Sequence, residues 1–163
     1  VQTCALPISG GPLIDRYAEM RNPDAYRFTH PYAPGLNFSF SGLKTGVLYF
    51  IQKQIAKDPD FVTSHLNDIC ASVQHAIVSI LINKLGQACR ETGVNTIAIA
   101  GGVAANRGLR SALLKNPDWK VYIPDFEYCT DNAAMIAVTG YFKFLRRIFA
   151  DQLSSPVPRF TGL

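Results

Sequence analysis

The tightest constraint on this chain is a short, β-rich apolar run that ends on two glycines, Thr96-Ile97-Ala98-Ile99-Ala100-Gly101-Gly102. A run of this length and character predicts a buried strand. The residues after it predict a helix from near Ala104 to about Lys115, closed by Asn116-Pro117. A second strand follows from Trp119 to Ile123 and stops at Pro124, and a last helix runs from Thr130-Asp131 to about Phe149. In that helix Ala134, Val138, Tyr141, Leu145 and Ile148 fall on one face. Successive parallel strands need a crossover, and a helix is the usual one, so strand–helix–strand–helix order argues for a parallel α/β unit.

The upstream part is mostly helical. Pro12 suits the first position of a helix, where the missing N–H costs nothing, and Asn22-Pro23 ends it after Arg21. Residues 22–37, with Pro23, Pro31, Pro34 and Gly35, form an irregular connector. Phe38 and Phe40 alternate with serines, which predicts a short strand. Gly42 then turns the chain into a helix from about Leu43 to Lys57, before Asp58-Pro59. A long helix follows from about Val62 to Glu91, because Leu66, Ile69, Val73, Ile77 and Ile80 recur at intervals of three and four. Gly93 is its left-handed stop. The tail from Asp151, with Pro156 and Pro158, reads as irregular. The sheet is small for an independent α/β domain, a first hint of a fragment.

Composition narrows the class without naming a function. With 163 residues, 48% hydrophobic and 17% charged, the chain has material for one globular core. A net charge of +4 permits an RNA partner without requiring one. Cys4, Cys70, Cys89 and Cys129 match neither a close-paired metal motif nor a dense disulfide framework and read as reduced thiols. No apolar run of about 18 residues and no signal peptide is apparent, so the expected setting is cytoplasmic, with no membrane.

Four segments are placed where chemistry happens. Gly101 and Gly102 sit at the mouth of a strand-to-helix turn, where a ligand can approach the backbone and a helix start offers N–H groups to phosphate or ribose. Asn106 is then a contact for a ribose or base, or simply a surface residue beside a tight turn. Asp131 in Cys129-Thr130-Asp131-Asn132 is either an N-cap, a role Thr130 also fits, or a carboxylate presented to a metal or nucleophile. Lys44, beside Ser39, Ser41 and Gly42, is an anion or RNA contact or an ordinary solvated lysine. Ser9-Gly10-Gly11-Pro12 opens a helix and either approaches a ligand or is only a turn. His30, His65 and His75 are scattered, with no spacing that suits a metal.

Taken in order, Gly10-Gly11-Pro12-Leu13, Phe38-Ser39-Phe40-Ser41-Gly42-Leu43-Lys44-Thr45, Gly101-Gly102-Val103-Ala104-Ala105-Asn106-Arg107 and Cys129-Thr130-Asp131-Asn132-Ala133-Ala134-Met135 resemble the TsaD/Kae/Qri family from Ser9 onward. The resemblance implies the C-terminal lobe of an actin-like ATPase fold, spanning residues 9–150. It implies a parent enzyme that moves threonylcarbamoyl from threonylcarbamoyl-AMP to N6 of the adenosine beside the anticodon of ANN-decoding tRNAs, with TsaB and TsaE as partners. It implies a divalent metal, iron or zinc, held by Asp131 together with two histidines of an HxxxH motif. It also implies adenylate contacts from Gly11, Gly101, Gly102 and Asn106, with Lys44 as a further substrate or tRNA contact.

Three departures from the family pattern shape the expectations. This sequence has no HxxxH, so the chain alone is expected to bind metal weakly or not at all and to be inactive. Val1 to Ile8 do not resemble the usual approach to the Gly-Gly-Pro motif and read as foreign to the protein. The linker after Leu114-Lys115-Asn116-Pro117 is compact, which should alter only a surface loop. Competing readings are the lobe of a related ATPase or sugar kinase, in which the Phe38–Thr45 string is not expected, and a catalytically silent partner module, against which Asp131 and Asn106 argue. No protease signature occurs: there is no HExxH and no ordered Ser/His/Asp pattern.

Overall fold

The computed structural model describes residues 10–19 and 21–155. The expectations for residues 1–8, for Cys4 and for the end of the tail lie outside the described residues. Among the described residues five α-helices and two strands follow in order: α1 (Gly10–Ala18), α2 (Ser41–Ile55), α3 (Phe61–Thr92), β1 (Thr96–Ala98), α4 (Arg107–Leu114), β2 (Lys120–Tyr122) and α5 (Ala133–Leu145). Short 3-10 turns occupy Gly102–Ala105 and Phe126–Tyr128. β1 and β2 pair in parallel with Ile97 opposite Val121, as the strand–helix–strand order requires. Both strands are shorter than the apolar runs that announce them. Bonds from the Lys120 N–H to the Asn95 carbonyl and from the Ile99 N–H to the Tyr122 carbonyl extend the ladder slightly.

The spine is α3, and its apolar stripe does what helical spacing dictates. Ile69 and Ile80 are buried, as are the small residues Ala71, Ser72 and Ala76, while Leu66, Val73 and Ile77 are half-buried. Small side chains let neighbouring elements approach closely, and α1, α2 and α4 all pack on this helix. One cluster joins Leu43 of α2 to Ala76 and Ile80. A second joins Cys89 of α3 to Ile97, Leu109 and Leu113, with Trp119 and Val121 against it. Gly93 ends the helix at φ 71°, where its N–H donates to the Cys89 carbonyl. By length and composition α3 also passes as a bilayer-spanning helix, with a mean hydropathy of 1.3 over its most apolar window of 18 residues. That is the expected composition of a core helix, and α3 is the core helix here.

Residues 38–40 are not a strand. Phe38 and Phe40 stack on each other with ring planes 13° apart, and both stay largely exposed. A strand exists only by pairing, and no described strand lies beside them; helix α2 begins at Ser41 instead. The connector before them is pinned to α3. The Tyr26 N–H donates to the Ser72 hydroxyl at 3.1 Å, and the Lys84 ammonium donates to the carbonyls of Ala33 and Gly35.

The last helix departs furthest from expectation. It starts at Ala133 rather than at Thr130-Asp131 and ends at Leu145 rather than near Phe149. Arg147 takes φ 54°, and the Ile148 N–H returns to the Lys143 carbonyl, a left-handed termination that stops the helix early. None of its residues is buried among the described residues. Val138, Tyr141 and Leu145 are exposed, and so are Ile136, Phe142 and Phe144 on its other sides.

Candidate functional site

Three of the four segments singled out by sequence are built around the start of α4. Asn106 is its N-cap: the side-chain oxygen accepts from the Leu109 N–H at 2.8 Å. The Asn106 amide donates to Gln74 Oε1 on α3 at 2.9 Å, which fixes the orientation of the carboxamide. From α1, Asp15 Oδ1 accepts from the Arg107 N–H at 3.0 Å, and Glu19, just past the end of that helix, pairs with the Arg107 guanidinium at 3.0 Å. The Leu109 and Arg107 N–H groups at this helix start are therefore engaged by side chains of the protein itself. The Asn106 carboxamide keeps one N–H and one lone pair for a ligand.

The open part of the turn is the glycine pair. Gly101 adopts φ 78° and ψ 179°, a conformation essentially restricted to glycine, and the 3-10 turn follows directly. Gly101 and Gly102 are exposed, and a Cβ at either would meet open space. Backbone is thus presented to whatever lies outside. Gly11 is in the first turn of α1, also with open space around it, and Asp15 lies one helical turn further on the same helix. The helix opened by Gly10-Gly11 therefore abuts the Asn106 turn through Asp15.

Lys44 joins the same region by another route. With Phe40, Leu43 and Val47 of the α2 segment and Val73, Ile77 and Leu81 of α3, it lines a groove of about 470 Å³. Val103, from the glycine turn, closes one side. The groove is almost wholly apolar: Lys44, an exposed residue, lines it with its aliphatic stem. An apolar trough of this kind suits a flat apolar group.

Asp131 is exposed, and the cap of α5 is its neighbour. Asn132 Oδ1 accepts from the Met135 N–H at 3.0 Å, while its amide donates to the Thr130 carbonyl. This corrects the capping alternative at Thr130 or Asp131. Among the described residues the Asp131 carboxylate takes part in no hydrogen bond or salt bridge, so it is available to a ligand. It is a single carboxylate, however. No group of three or more His, Cys, Asp or Glu side chains converges among the described residues, so Asp131 does not make a metal site by itself.

Comparison with known proteins decides the family. The family model described as TsaD, tRNA N6-adenosine threonylcarbamoyltransferase, matches residues 1–138. The protein of that name from Christiangramia forsetii is 55% identical over 149 residues, covering 90% of this chain and 44% of the relative. Its counterpart in Cytophaga hutchinsonii is 55% identical over 157 residues, covering 94% and 46% respectively. In Porphyromonas gingivalis the identity is 45% over 155 residues, covering 93% and 46%. The chain belongs to the TsaD family. It spans about half the length of the curated relatives it matches.

Gly11, Lys44, Gly101, Gly102, Asn106 and Asp131 all fall within the part that the TsaD model matches. The structure adds three residues that sequence reading passed over, Asp15, Gln74 and Arg110, and gives Cys129 of the quoted motif a contact with Arg110. Gln74 is a polar residue half-buried in the apolar stretch of α3, and Arg110 stands four residues after Asn106, on the same helical face. Both signals were present, but neither shows its meaning until the turn and α3 are brought together.

Proposed function

We propose that this chain supplies one wall of the active site of a transferase that moves threonylcarbamoyl from threonylcarbamoyl-AMP to N6 of adenosine in tRNA. The observation that carries the reading is membership of the TsaD family across residues 1–138, with identities of 45–55% to proteins named for that activity. An open glycine turn, a fixed carboxamide and an apolar groove lined in part by the stem of Lys44 lie around the Val103 corner and support the reading. In this reading the lobe is part of an actin-like ATPase fold and works in the cytoplasm, with TsaB and TsaE as partners.

The roles follow from chemistry. The exposed backbone at Gly101 and Gly102 receives the adenylate, the spare N–H and lone pair of Asn106 orient its ribose, and Gly11 lies on the approach. Lys44 stands at the groove edge as a contact for phosphate of the adenylate or of tRNA. Asp131 is one carboxylate of a divalent metal site, iron or zinc, whose other ligands lie outside the described residues. When bound, such an ion polarises acyl or phosphate oxygens. The described residues do not complete that site. Adenine N6 is a weak nucleophile, so the work of this wall is to hold the acyl donor in line with it.

The test is transfer of labelled threonylcarbamate to an unmodified ANN-reading tRNA by the longer protein that contains this chain, with TsaB and TsaE present. Transfer is expected, and Asp131→Ala is expected to lower it by at least about a hundredfold. An Asp131→Ala enzyme with undiminished turnover would remove Asp131 from the site. An inactive parent protein would overturn the assignment of activity.

A further inference from the structure

The glycine turn and the Asp131 loop come from opposite ends of the β1–α4–β2 unit, and one side chain touches both. Arg110, on α4, donates from Nε to the Ala104 carbonyl at 2.6 Å, inside the glycine turn. From Nη2 it donates to the Pro124 carbonyl at 2.6 Å and meets Cys129 Sγ at 3.1 Å. Its guanidinium carbon lies 3.9 Å from the centroid of the Phe126 ring. Cys129, 1% exposed, is two residues before Asp131, and Ala104 is buried two residues before Asn106. We infer that Arg110 is a positioning residue that holds the adenylate-binding turn and the Asp131 loop in one fixed relation.

The inference rests on the functional reading of those two segments, but the geometry is independent of it. Only a planar fork with several donors reaches a carbonyl on one side and a carbonyl plus a thiol on the other. The contacts are partly buried, where a charge-assisted hydrogen bond is stronger and an unpaired carbonyl more costly than in water. No side-chain hydrogen bond or direct backbone ladder among the described residues otherwise joins the glycine turn to residues 124–131. The Cys129 thiol is further anchored by a long contact to the Asp125 carbonyl at 3.5 Å, so the loop has a fixed seat for Arg110 to act on. If the loop carrying Asp131 moves by an ångström relative to the turn, a donor held by one and activated by the other is out of line.

The experiment uses the longer protein with its partners and two variants, Arg110→Met and Arg110→Lys. Arg110→Met keeps most of the stem and removes every donor. It is expected to cut kcat by about a hundredfold while KM for tRNA stays within about twofold. Arg110→Lys keeps the stem and the charge, so the fold is retained. One ammonium cannot serve all three acceptors, and kcat is expected to fall by about tenfold. In both variants hydrogen exchange should quicken together at the Ala104 and Asn106 amides and at the Tyr128 and Cys129 amides, which close the two segments, while the β1 and β2 amides keep their protection. A thiol reagent should likewise reach Cys129 faster.

Faster exchange in only one segment, or an active wild type whose Arg110→Lys variant turns over within about twofold of it, would overturn the inference. A uniform loss of protection in both variants, with the strands included, would make Arg110 a fold residue and overturn it as well. A wild type that transfers nothing would defeat the functional reading alone. Exchange at the two segments would still decide whether Arg110 couples them.

Discussion

At the scale of single residues, several side chains act through close approach. Gly108 is the sharpest case: a Cβ there would lie 2.6 Å from Gln74 Nε2. The obstructing atom is the end of a flexible side chain, so Gln74 would swing away and lose its bond to Asn106 rather than unfold the helix. Gly108→Ala also gains about 1 kcal/mol of helix propensity, which offsets the lost hydrogen bond. The expected outcome is near-unchanged stability in urea and a several-fold rise in KM for the adenylate in the longer protein, measured side by side. Tyr26 gives a pH-dependent expectation. Burial first, and the Asp68 carboxylate second, raise its phenol above the usual value of 10.0. The folded state therefore holds the proton more tightly than the unfolded one. This contribution is complete below about pH 10 and is lost as pH rises through the folded value. Burial raises the Cys70 thiol too, and its contribution is lost in the same direction. Tyr26→Phe should flatten the fall in urea midpoint between about pH 9 and about pH 11, and an unchanged slope would assign that fall to other groups.

At the scale of elements, what the sequence announces and what it hides divide along a physical line. Local chemistry is legible: the stripe Ile69–Ile80 specifies α3, and Gly93 stops it one residue after Thr92. The consequence can be checked. Gly93→Ala forces a Cβ into the left-handed region and is expected to cost about 1 kcal/mol, read as a shift in urea midpoint at constant slope. Leu113 is completely buried between α3 and the sheet, and Leu113→Ala should cost about 2–5 kcal/mol by the same measurement. Pairing is not legible locally. Phe38-Ser39-Phe40 alternates as a strand should, yet strand formation depends on a neighbour that alternation does not supply. The site divides the same way. Gly101, Asn106 and Asp131 announce themselves by turn and cap chemistry. Gln74 and Arg110 matter because distant segments meet, 32 residues apart for the Asn106–Gln74 bond. The cap of α5 shows the limit within a single motif: Thr130, Asp131 and Asn132 are all good caps, and only the backbone decides that Asn132 serves and that Asp131 is released.

At the scale of the whole molecule, α5 is the element without a place. Apart from Thr139 and Lys143 it is almost wholly apolar, with Ile136 68% and Phe144 64% exposed, and a helix of that composition is normally enclosed. The two-stranded sheet β1–β2 is likewise narrower than a parallel sheet usually is. The relatives extend well beyond the part this chain matches, so the longer protein has further chain to cover the apolar surface of α5, which is exposed among the described residues. The pair Ile136→Lys and Phe144→Glu separates these settings by the sign of its effect. In the isolated chain at micromolar concentration, the unsubstituted protein should self-associate and bind a hydrophobic dye, and the pair should reduce both, read by light scattering after gel filtration. In the longer protein the same two charges would enter an enclosed apolar contact and should lower the melting temperature and transfer activity together. If the pair is harmless in the longer protein, α5 stays exposed there and its apolar surface serves a separate partner. If it destabilises both settings, α5 is already enclosed within the isolated chain, by an arrangement different from the one described.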